Sequence, residues 1–517
     1  CIITEKATEP AKSVQKIGFL KKIVKFIMKF FERGEETMFT VSKILEKHKK
    51  SDKIAIIHGN HKLSYKNWHI FAGALAIEIK DKTSKKNVAI LMGNSIEFAV
   101  ALFGGIYAGK TVIPLDIRLT QSEILETIQF CDVDLILCVV NDVLRLGALF
   151  EEKRETLKLL GVDLKKLNCF ELGMCEKRGQ EDIALIFKTS GTTNKSKYVM
   201  LSHLNIMFNI TNNINALELS RNENSFVVLP MCFAYCIVAQ VLSHAKLGGT
   251  LVIAEEMLWF KNFVINALKG NVTNMFCTPS VIMMLHSFMK KKGNKHFPAK
   301  VCIGGDKITE KNLLELIEEY PQTEFIVTFG LTEAGPRVST LRGDMIKKKP
   351  QSVGLPFNSV EIKVVDENGR EIGENQIGEL IIKSKSVMKG YYKADALTAM
   401  TIKEGWLYTG DLAYVDSDCY LYIVGRKKNV IIVEGRNIFP EEVEEKIKGC
   451  EVVEDALVYG KKDKQYGEQV VAKIVIRGGE KNLKKIIEYC KNNMNSYNIP
   501  TMWECVESVE KTLTGKI

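Results

Sequence analysis

The sequence predicts an α/β fold followed by a smaller α+β domain. Three observations carry this. Short apolar runs alternate with longer stretches of helical period over most of the chain. Antiparallel β signals take over near residue 360, and a compact helix–strand–strand–helix unit follows Arg426. The chain has 517 residues, 46% of them hydrophobic, which is more than one globular domain usually carries.

The first 37 residues stand apart. Between Lys16 and Arg33, a helical repeat puts Lys22, Lys25 and Lys29 on one face, with Phe19, Ile23, Phe26, Ile27 and Phe30 opposite or beside it. This basic amphipathic segment suits peripheral contact with an anionic membrane or a partner protein, and equally packing against its own chain. From about Thr37 to Tyr422, the runs Val88 to Met92, Val112 to Leu115, Ile183 to Phe187, Phe226 to Leu229, Thr250 to Ile253 and Phe325 to Thr328 read as parallel strands joined by crossover helices. Val360 to Val365 and Gly378 to Lys383 flank a turn at Asn368-Gly369 and read as a hairpin. A helix from Glu441 to Lys448, strands around Ala456 and Val470, and a helix from Asn482 to Asn493 complete the small unit. The expected division is residues 1–37 as an amphipathic extension or linker, 38–425 as the large domain and 426–517 as the small one.

Composition narrows the class. Lys and Arg number 72 against 62 Asp and Glu, a net charge of +10 that suits phosphate-bearing molecules, acidic partners or an anionic surface. No long stripe interleaves aromatic with basic residues, so nucleic acid is not expected. Thirteen cysteines are scattered without CxxC pairs or zinc-ligand spacing, which fits a reduced, cytoplasmic protein. The longest apolar run is closed by Lys110 before it reaches the length of a membrane span.

The chemistry is concentrated in one loop. The strand-like run at Ile183 leads into Thr189-Ser190-Gly191-Thr192-Thr193-Asn194-Lys195-Ser196-Lys197, which gathers hydroxyls, backbone N–H groups and two lysines in nine residues. Such a loop can wrap phosphate, with Gly191 allowing close backbone approach. Its spacing is not that of a Walker loop. Taken alone, a loop of this composition also reads as a solvated turn.

With the other motifs, the sequence resembles the adenylate-forming superfamily of acyl-CoA synthetases, aryl-acid ligases, luciferases and nonribosomal peptide adenylation domains. Its motifs are most similar to those of acyl-CoA synthetases. The resemblance covers residues 38 to 517 and rests on an ordered set. Leu63-Ser64-Tyr65, Gly104 through Gly109 and Pro114-Leu115-Asp116 come first. The Thr189–Lys197 loop and Thr328-Phe329-Gly330-Leu331-Thr332-Glu333 follow. Then come Tyr408-Thr409-Gly410-Asp411, Gly425-Arg426-Lys427-Lys428, the run from Gly435 to Glu444, and Thr514-Gly515-Lys516-Ile517. The implied fold is a large domain of parallel-rich sheets with a β-barrel-like part and a small mobile C-terminal domain hinged near Lys428.

The resemblance also implies roles. Thr189, Ser190, Gly191, Thr192, Thr193 and Lys197 would hold the phosphates of ATP. Gly304, Gly305, Asp306 and Phe329 would enclose adenine, with Phe329 standing where the family usually has Tyr. Asp411 and Arg426 would hold the ribose. Glu333 would bind Mg²⁺, Thr332 would touch the α-phosphate, and Lys516 would bridge the acyl carboxylate and that phosphate. Phe233, Tyr235, Cys236, Gly330 and Ala334 would line the acid pocket; no acidic residue occurs between Met231 and Cys236, so an α-amino acid is not expected. Lys428 and Gly435 would serve domain rotation and thiol transfer. The implied reaction activates a fatty or aryl carboxylic acid as acyl-AMP, then passes the acyl group to CoA. An acyl carrier protein bearing phosphopantetheine is the alternative acceptor. Asn194, Ser196 and Tyr198 replace the family's Gly, Pro and Gly, which keeps open a nucleotide-binding relative without catalysis.

Overall fold

The computed structural model describes residues 39–151, 157–167, 179, 181–189, 196–254, 261, 264–265, 271–293, 296–433, 436–463 and 467–509. The amphipathic segment 16–33 therefore lies outside the described residues. Among those described, no helix is long and apolar enough to cross a membrane.

Two sheets form the large part of the molecule. The first has seven strands in the order Gly390–Tyr391, Lys197–Ser202, Ile183–Thr189, Thr111–Leu115, Asn87–Leu91, Leu135–Val139 and Lys158–Val162. From Ile183–Thr189 onward in this order its neighbours run parallel, and the two strands on the other side are antiparallel additions. The second has nine strands, ordered Leu355–Pro356, Ser339–Leu341, Glu324–Phe329, Lys300–Gly304, Asn274–Cys277, Asn224–Val227, Thr250–Ile253, Ile54–His58 and His61–Ser64. It is parallel through its six central strands and antiparallel at both edges. Each parallel run expected from the sequence is a strand here, shifted by a residue or two.

One buried cluster joins the two sheets through the helices Tyr65–Lys82 and Ile96–Tyr107. Beyond Glu97 in its first turn, the second of these is apolar on every side, as a helix enclosed by its neighbours must be. Ser95 caps it by accepting from the Phe98 N–H at 3.1 Å. Trp68 is fully buried and its indole donates to the Ala99 carbonyl at 3.0 Å, which locks the two helices in register. A Cβ at Gly105 would run into Val112 of the sheet, so the close approach requires glycine.

The strands Glu361–Val365 and Gly378–Lys383 pair antiparallel as expected, but the Asn368-Gly369 turn does not join them directly. That turn closes a small loop through the Val365–Glu371 bridge, and the chain then continues to Gly378. The part expected to be barrel-like is a five-stranded antiparallel sheet that also contains Ile402–Lys403, Trp406–Val415 and Leu421–Arg426, and its ladder does not close among the described residues.

A separate core begins at Ile431. Strands Arg436–Ile438, Ile431–Val433, Gly467–Ile476 and Val453–Asp463 form a sheet in that order, with Met502–Cys505 added parallel to Gly467–Ile476. Helices Pro440–Lys448 and Leu483–Asn493 bury Val443, Ile447 and Ile486 against Ile431, Val458 and Ala472.

Within this unit, burial pushes the Glu444 carboxyl up to about 7, although it accepts from the Val458 N–H at 2.9 Å. Its folded value lies above the unfolded one, so ionisation opposes folding as pH rises from about 4.3 through about 7, and the penalty is complete above that. Glu444→Gln is expected to raise the small domain's thermal midpoint by several degrees at pH 8 and to leave it unchanged at pH 4. Melting curves at the two pH values check this; an equal shift at both would show that the carboxylate charge is not the cause.

Candidate active site

The candidate residues gather where strands of both large sheets end. In the parallel ladder, Gly304 ends one strand and is registered with Thr328 of its neighbour. Gly304-Gly305 and Phe329-Gly330 therefore leave adjacent strands at their carboxyl ends, the place where open α/β sheets offer a crevice. Phe329 and Gly330 are half-buried, Gly305 is half-buried and Asp306 is exposed. A Cβ at Gly330 would collide with the Pro336 carbonyl, so the chain can fold back there only on glycine.

The tight turn Thr332–Ala334 follows and carries Thr332 and Glu333. Glu333 is held at two points by the segment 388–391. Its carbonyl accepts from the Met388 N–H at 2.8 Å, and its carboxylate accepts from the Tyr391 hydroxyl at 3.0 Å. Over the Tyr391 ring, the Lys197 ammonium sits 5.2 Å from the ring centroid. Lys197 starts the strand Lys197–Ser202, which pairs with Ile183–Thr189 in a hairpin whose last rung is Thr189 opposite Lys197. Ser190, Gly191, Thr192 and Thr193 lie outside the described residues between those two.

Asp411 and Arg426 are direct cross-strand partners in the antiparallel ladder of Trp406–Val415 and Leu421–Arg426. The Arg426 Nε donates to Asp411 Oδ1 at 2.8 Å, and its Nη1 donates to the Thr409 carbonyl at 3.1 Å. Asp411 is buried while Arg426 remains 42% exposed, so the pair presents a fixed carboxylate beneath an accessible guanidinium. Lys428 follows in the turn Lys427–Asn429. Burial, followed by the charges of Arg426 and Lys197, holds its ammonium below the usual lysine range. Arg426 also acts electrostatically on the Tyr391 phenol. Asp411, Arg426, Tyr391, Glu333, Lys197 and Lys428 thus form one charged cluster drawn from five segments.

The residues expected to form the acid pocket divide. Phe233, Tyr235 and Gly330 are half-buried, whereas Cys236 and Ala334 are fully enclosed in the core and offer no surface to a ligand in this conformation. Apolar character marked them in the sequence, and it marks a core position equally well. Tyr235 opens a π-helix, Tyr235–Leu242, and its hydroxyl donates towards the carbonyls of Cys277 at 3.3 Å and Cys302 at 3.2 Å. Cys277 and Cys302 lie beside its hydroxyl, and burial holds their thiols and those of Cys232 and Cys236 above the ordinary range, Cys302 at about 12. None of these four is poised as a nucleophile.

Three participants escaped the sequence reading. Arg337 is buried and has no carboxylate partner among the described residues; it donates to Thr328 Oγ1 at 2.6 Å and Asn213 Oδ1 at 3.1 Å, and its guanidinium lies 4.3 Å from the Tyr235 ring centroid. Glu441 accepts from the Arg426 N–H at 3.3 Å, and a second contact to the small domain joins Lys307 to Glu445 at 2.7 Å. Tyr391 is the third. Gly435 and Lys516 lie outside the described residues.

One carboxylate with nucleotide phosphates is a sufficient donor set for Mg²⁺, which dehydrates reluctantly and takes few protein oxygens. Glu333 fits: a carboxylate whose Oε1 accepts from Tyr391 has a second oxygen able to bind a cation. No group of three or more His, Cys, Asp or Glu side chains able to hold a metal occurs among the described residues.

Residues 45–392 match the AMP-binding enzyme family and residues 442–516 match the AMP-binding enzyme C-terminal domain. The 2-succinylbenzoate–CoA ligase of Bacillus licheniformis is 26% identical over 475 residues, covering 90% of this chain and 95% of its own. The long-chain-fatty-acid–CoA ligase of Bacillus subtilis is 26% identical over 514 residues, 90% of each chain. In fold, the o-succinylbenzoate CoA synthetase of Bacillus subtilis in complex with its acyl-adenylate intermediate superposes with a TM-score of 0.82 at 22% identity, over 92% of this chain and 96% of that one. With the first of these matches spanning well over half of its length, this chain belongs to the AMP-binding enzyme family.

Proposed function

We propose that the protein is an AMP-forming carboxylic acid–CoA ligase acting on an apolar acid, fatty or aryl. The observation that carries the reading is the convergence of the Asp411–Arg426 pair, Glu333 and Lys197 about Tyr391 in one charged cluster. An acceptor-only carboxylate suits the two ribose hydroxyls, and the exposed guanidinium closes over the same sugar. Phe329 and the backbone of Gly304-Gly305 supply a flat slot for adenine. Lys197, Lys428 and the loop from Thr189 oppose the phosphate charge, and Thr332 lies beside them. Mg²⁺ held at Glu333 would neutralise phosphate charge.

In the first half-reaction, the substrate carboxylate attacks the α-phosphorus of ATP and pyrophosphate leaves, giving the acyl-adenylate. Lys516 offsets the charge that develops between the two reacting groups. In the second, the CoA thiolate attacks the acyl carbon and AMP leaves. The four buried cysteines near the acid side are unsuited to form an acyl-enzyme. Rotation of residues 426–517 about Lys428 would exchange Lys516 for the segment at Gly435 between the two steps. The division into residues 38–425 and 426–517 belongs to this proposal and is supported by the separate core that starts at Ile431. The relatives named as CoA ligases favour CoA as acceptor. Phe233 and Tyr235 supply the apolar lining on the acid side.

ATP–pyrophosphate exchange with a panel of fatty, aromatic, dicarboxylic and amino acids tests this. Exchange stimulated by an apolar acid, with acyl-CoA formed once CoA is added, is the expected result. Stimulation only by an amino acid, or none by any acid in a protein that binds ATP, would overturn it.

A further inference from the structure

The segment 388–391 does more than close a sheet. Gly390–Tyr391 adds an edge strand to Lys197–Ser202, registered Tyr391 opposite Val199 and Gly390 opposite Met200. The flanking contacts continue the ladder: the Lys389 N–H donates to the Met200 carbonyl at 2.9 Å and the Tyr392 N–H to the Tyr198 carbonyl at 2.8 Å. This short strand is therefore fastened to the stem of the phosphate loop. It is also fastened to Glu333, by the Met388 N–H and by the Tyr391 hydroxyl. Tyr391 itself is 3% exposed, and its own N–H donates to Thr398 Oγ1 at 2.9 Å, so its ring has little freedom to turn.

Two groups of opposite charge thus meet one rigid ring. The hydroxyl donates to Oε1 of Glu333 at 3.0 Å, and the Lys197 ammonium stands over the ring face. A carboxylate with one oxygen tied in this way has the other left to bind a cation in a single orientation. Groups that orient a metal-binding carboxylate typically affect metal affinity by about 10–100-fold.

Resting on the ligase reading of the site, we propose that Tyr391 is a positioning residue that sets the Glu333 carboxylate for the phosphate-bridging divalent cation and the Lys197 ammonium for the phosphates. Tyr391→Phe separates the two roles, since it keeps the ring under Lys197 and deletes only the hydroxyl. The readout is ATP binding by calorimetry, in EDTA and across a Mg²⁺ titration, and it needs no turnover. The Mg²⁺ concentration for half-maximal tightening should rise by about 10–100-fold in Y391F, while affinity for ATP in EDTA stays within about twofold because the ring still carries Lys197. In a Glu333→Gln background, Y391F should add less than about twofold, because the hydroxyl then has no carboxylate to orient. An unchanged Mg²⁺ requirement, or a parallel fall of affinity with and without metal, would overturn the proposal. Should Y391F fold poorly, 4-aminophenylalanine incorporated at position 391 keeps the ring and a donor of similar reach and should hold the Mg²⁺ requirement within about threefold of the parent; a larger rise would count against positioning. Failure of the ligase reading is distinguishable, because it would remove acid-dependent pyrophosphate exchange while leaving Mg²⁺-dependent ATP binding and its Y391F shift in place.

Discussion

Lys516→Ala is expected to lower acid-dependent ATP–pyrophosphate exchange by about 10²–10³-fold, the size typical of removing one preorganised group that meets developing charge. The same variant should keep thiol transfer from supplied acyl-adenylate within about tenfold of the parent. The asymmetry follows from chemistry. In the first half-reaction an anionic carboxylate approaches an anionic phosphate, and a cation between them lowers the barrier directly. In the second, the acyl carbon is already activated and AMP departs, so an ammonium at that point is not required. Lys516 falls within residues 442–516 that match the C-terminal domain of the family. Because it comes from the small domain, its loss should leave ATP affinity in the large domain within about threefold, which separates positioning of the reaction from binding of the nucleotide. Equal loss in both half-reactions would remove the proposed role and point to a folding effect instead.

How far this site was legible in the sequence depends on what each residue is recognised by. Asp411 and Arg426 were readable as individual motif residues, but their pairing is a property of ladder register that places residues 15 apart side by side. Glu333 and Lys197 were likewise readable, whereas Tyr391 was not, since its strand is two residues long and its role exists only through the partners the fold brings to it. Arg337 was hidden for the opposite reason. A cation is read as surface by default, yet this one is buried among Thr328, Asn213 and two aromatic rings. Cys236 and Ala334 were expected in the acid pocket and lie in the core, because apolar composition cannot distinguish a wall facing a ligand from one facing another side chain. The central parallel strands stood out because each is a short, nearly continuous apolar run. The Asn368-Gly369 turn and the two strands that flank it were legible, but not the residues between Glu371 and Gly378 that lengthen the connection, since a turn fixes its own geometry and not the length of the loop beyond it.

Asp411→Ala should cost the second large effect, this time in nucleotide affinity. A hydrogen bond to a charged group contributes about 1.5–3 kcal/mol, so losing two from the ribose hydroxyls corresponds to a fall in ATP affinity of about 10²-fold or more, at 1.4 kcal/mol per tenfold. The fold should survive. Arg426 is 42% exposed and keeps its bond to the Thr409 carbonyl, so water can solvate the guanidinium that loses its carboxylate. A drop of only a few degrees in thermal midpoint is therefore expected. Binding of 2′,3′-dideoxy-ATP makes the test specific. The parent should bind it about 10²-fold more weakly than ATP, and D411A should bind both nucleotides alike, because the carboxylate and the hydroxyls are two ends of one interaction. Asp411→Asn, which keeps the shape but not the charge, should fall between the two, since a neutral acceptor makes the same contacts more weakly. If D411A loses ATP and the dideoxy analogue by the same factor, Asp411 acts by holding Arg426 and not by touching the sugar, and the ribose contact passes to the guanidinium alone.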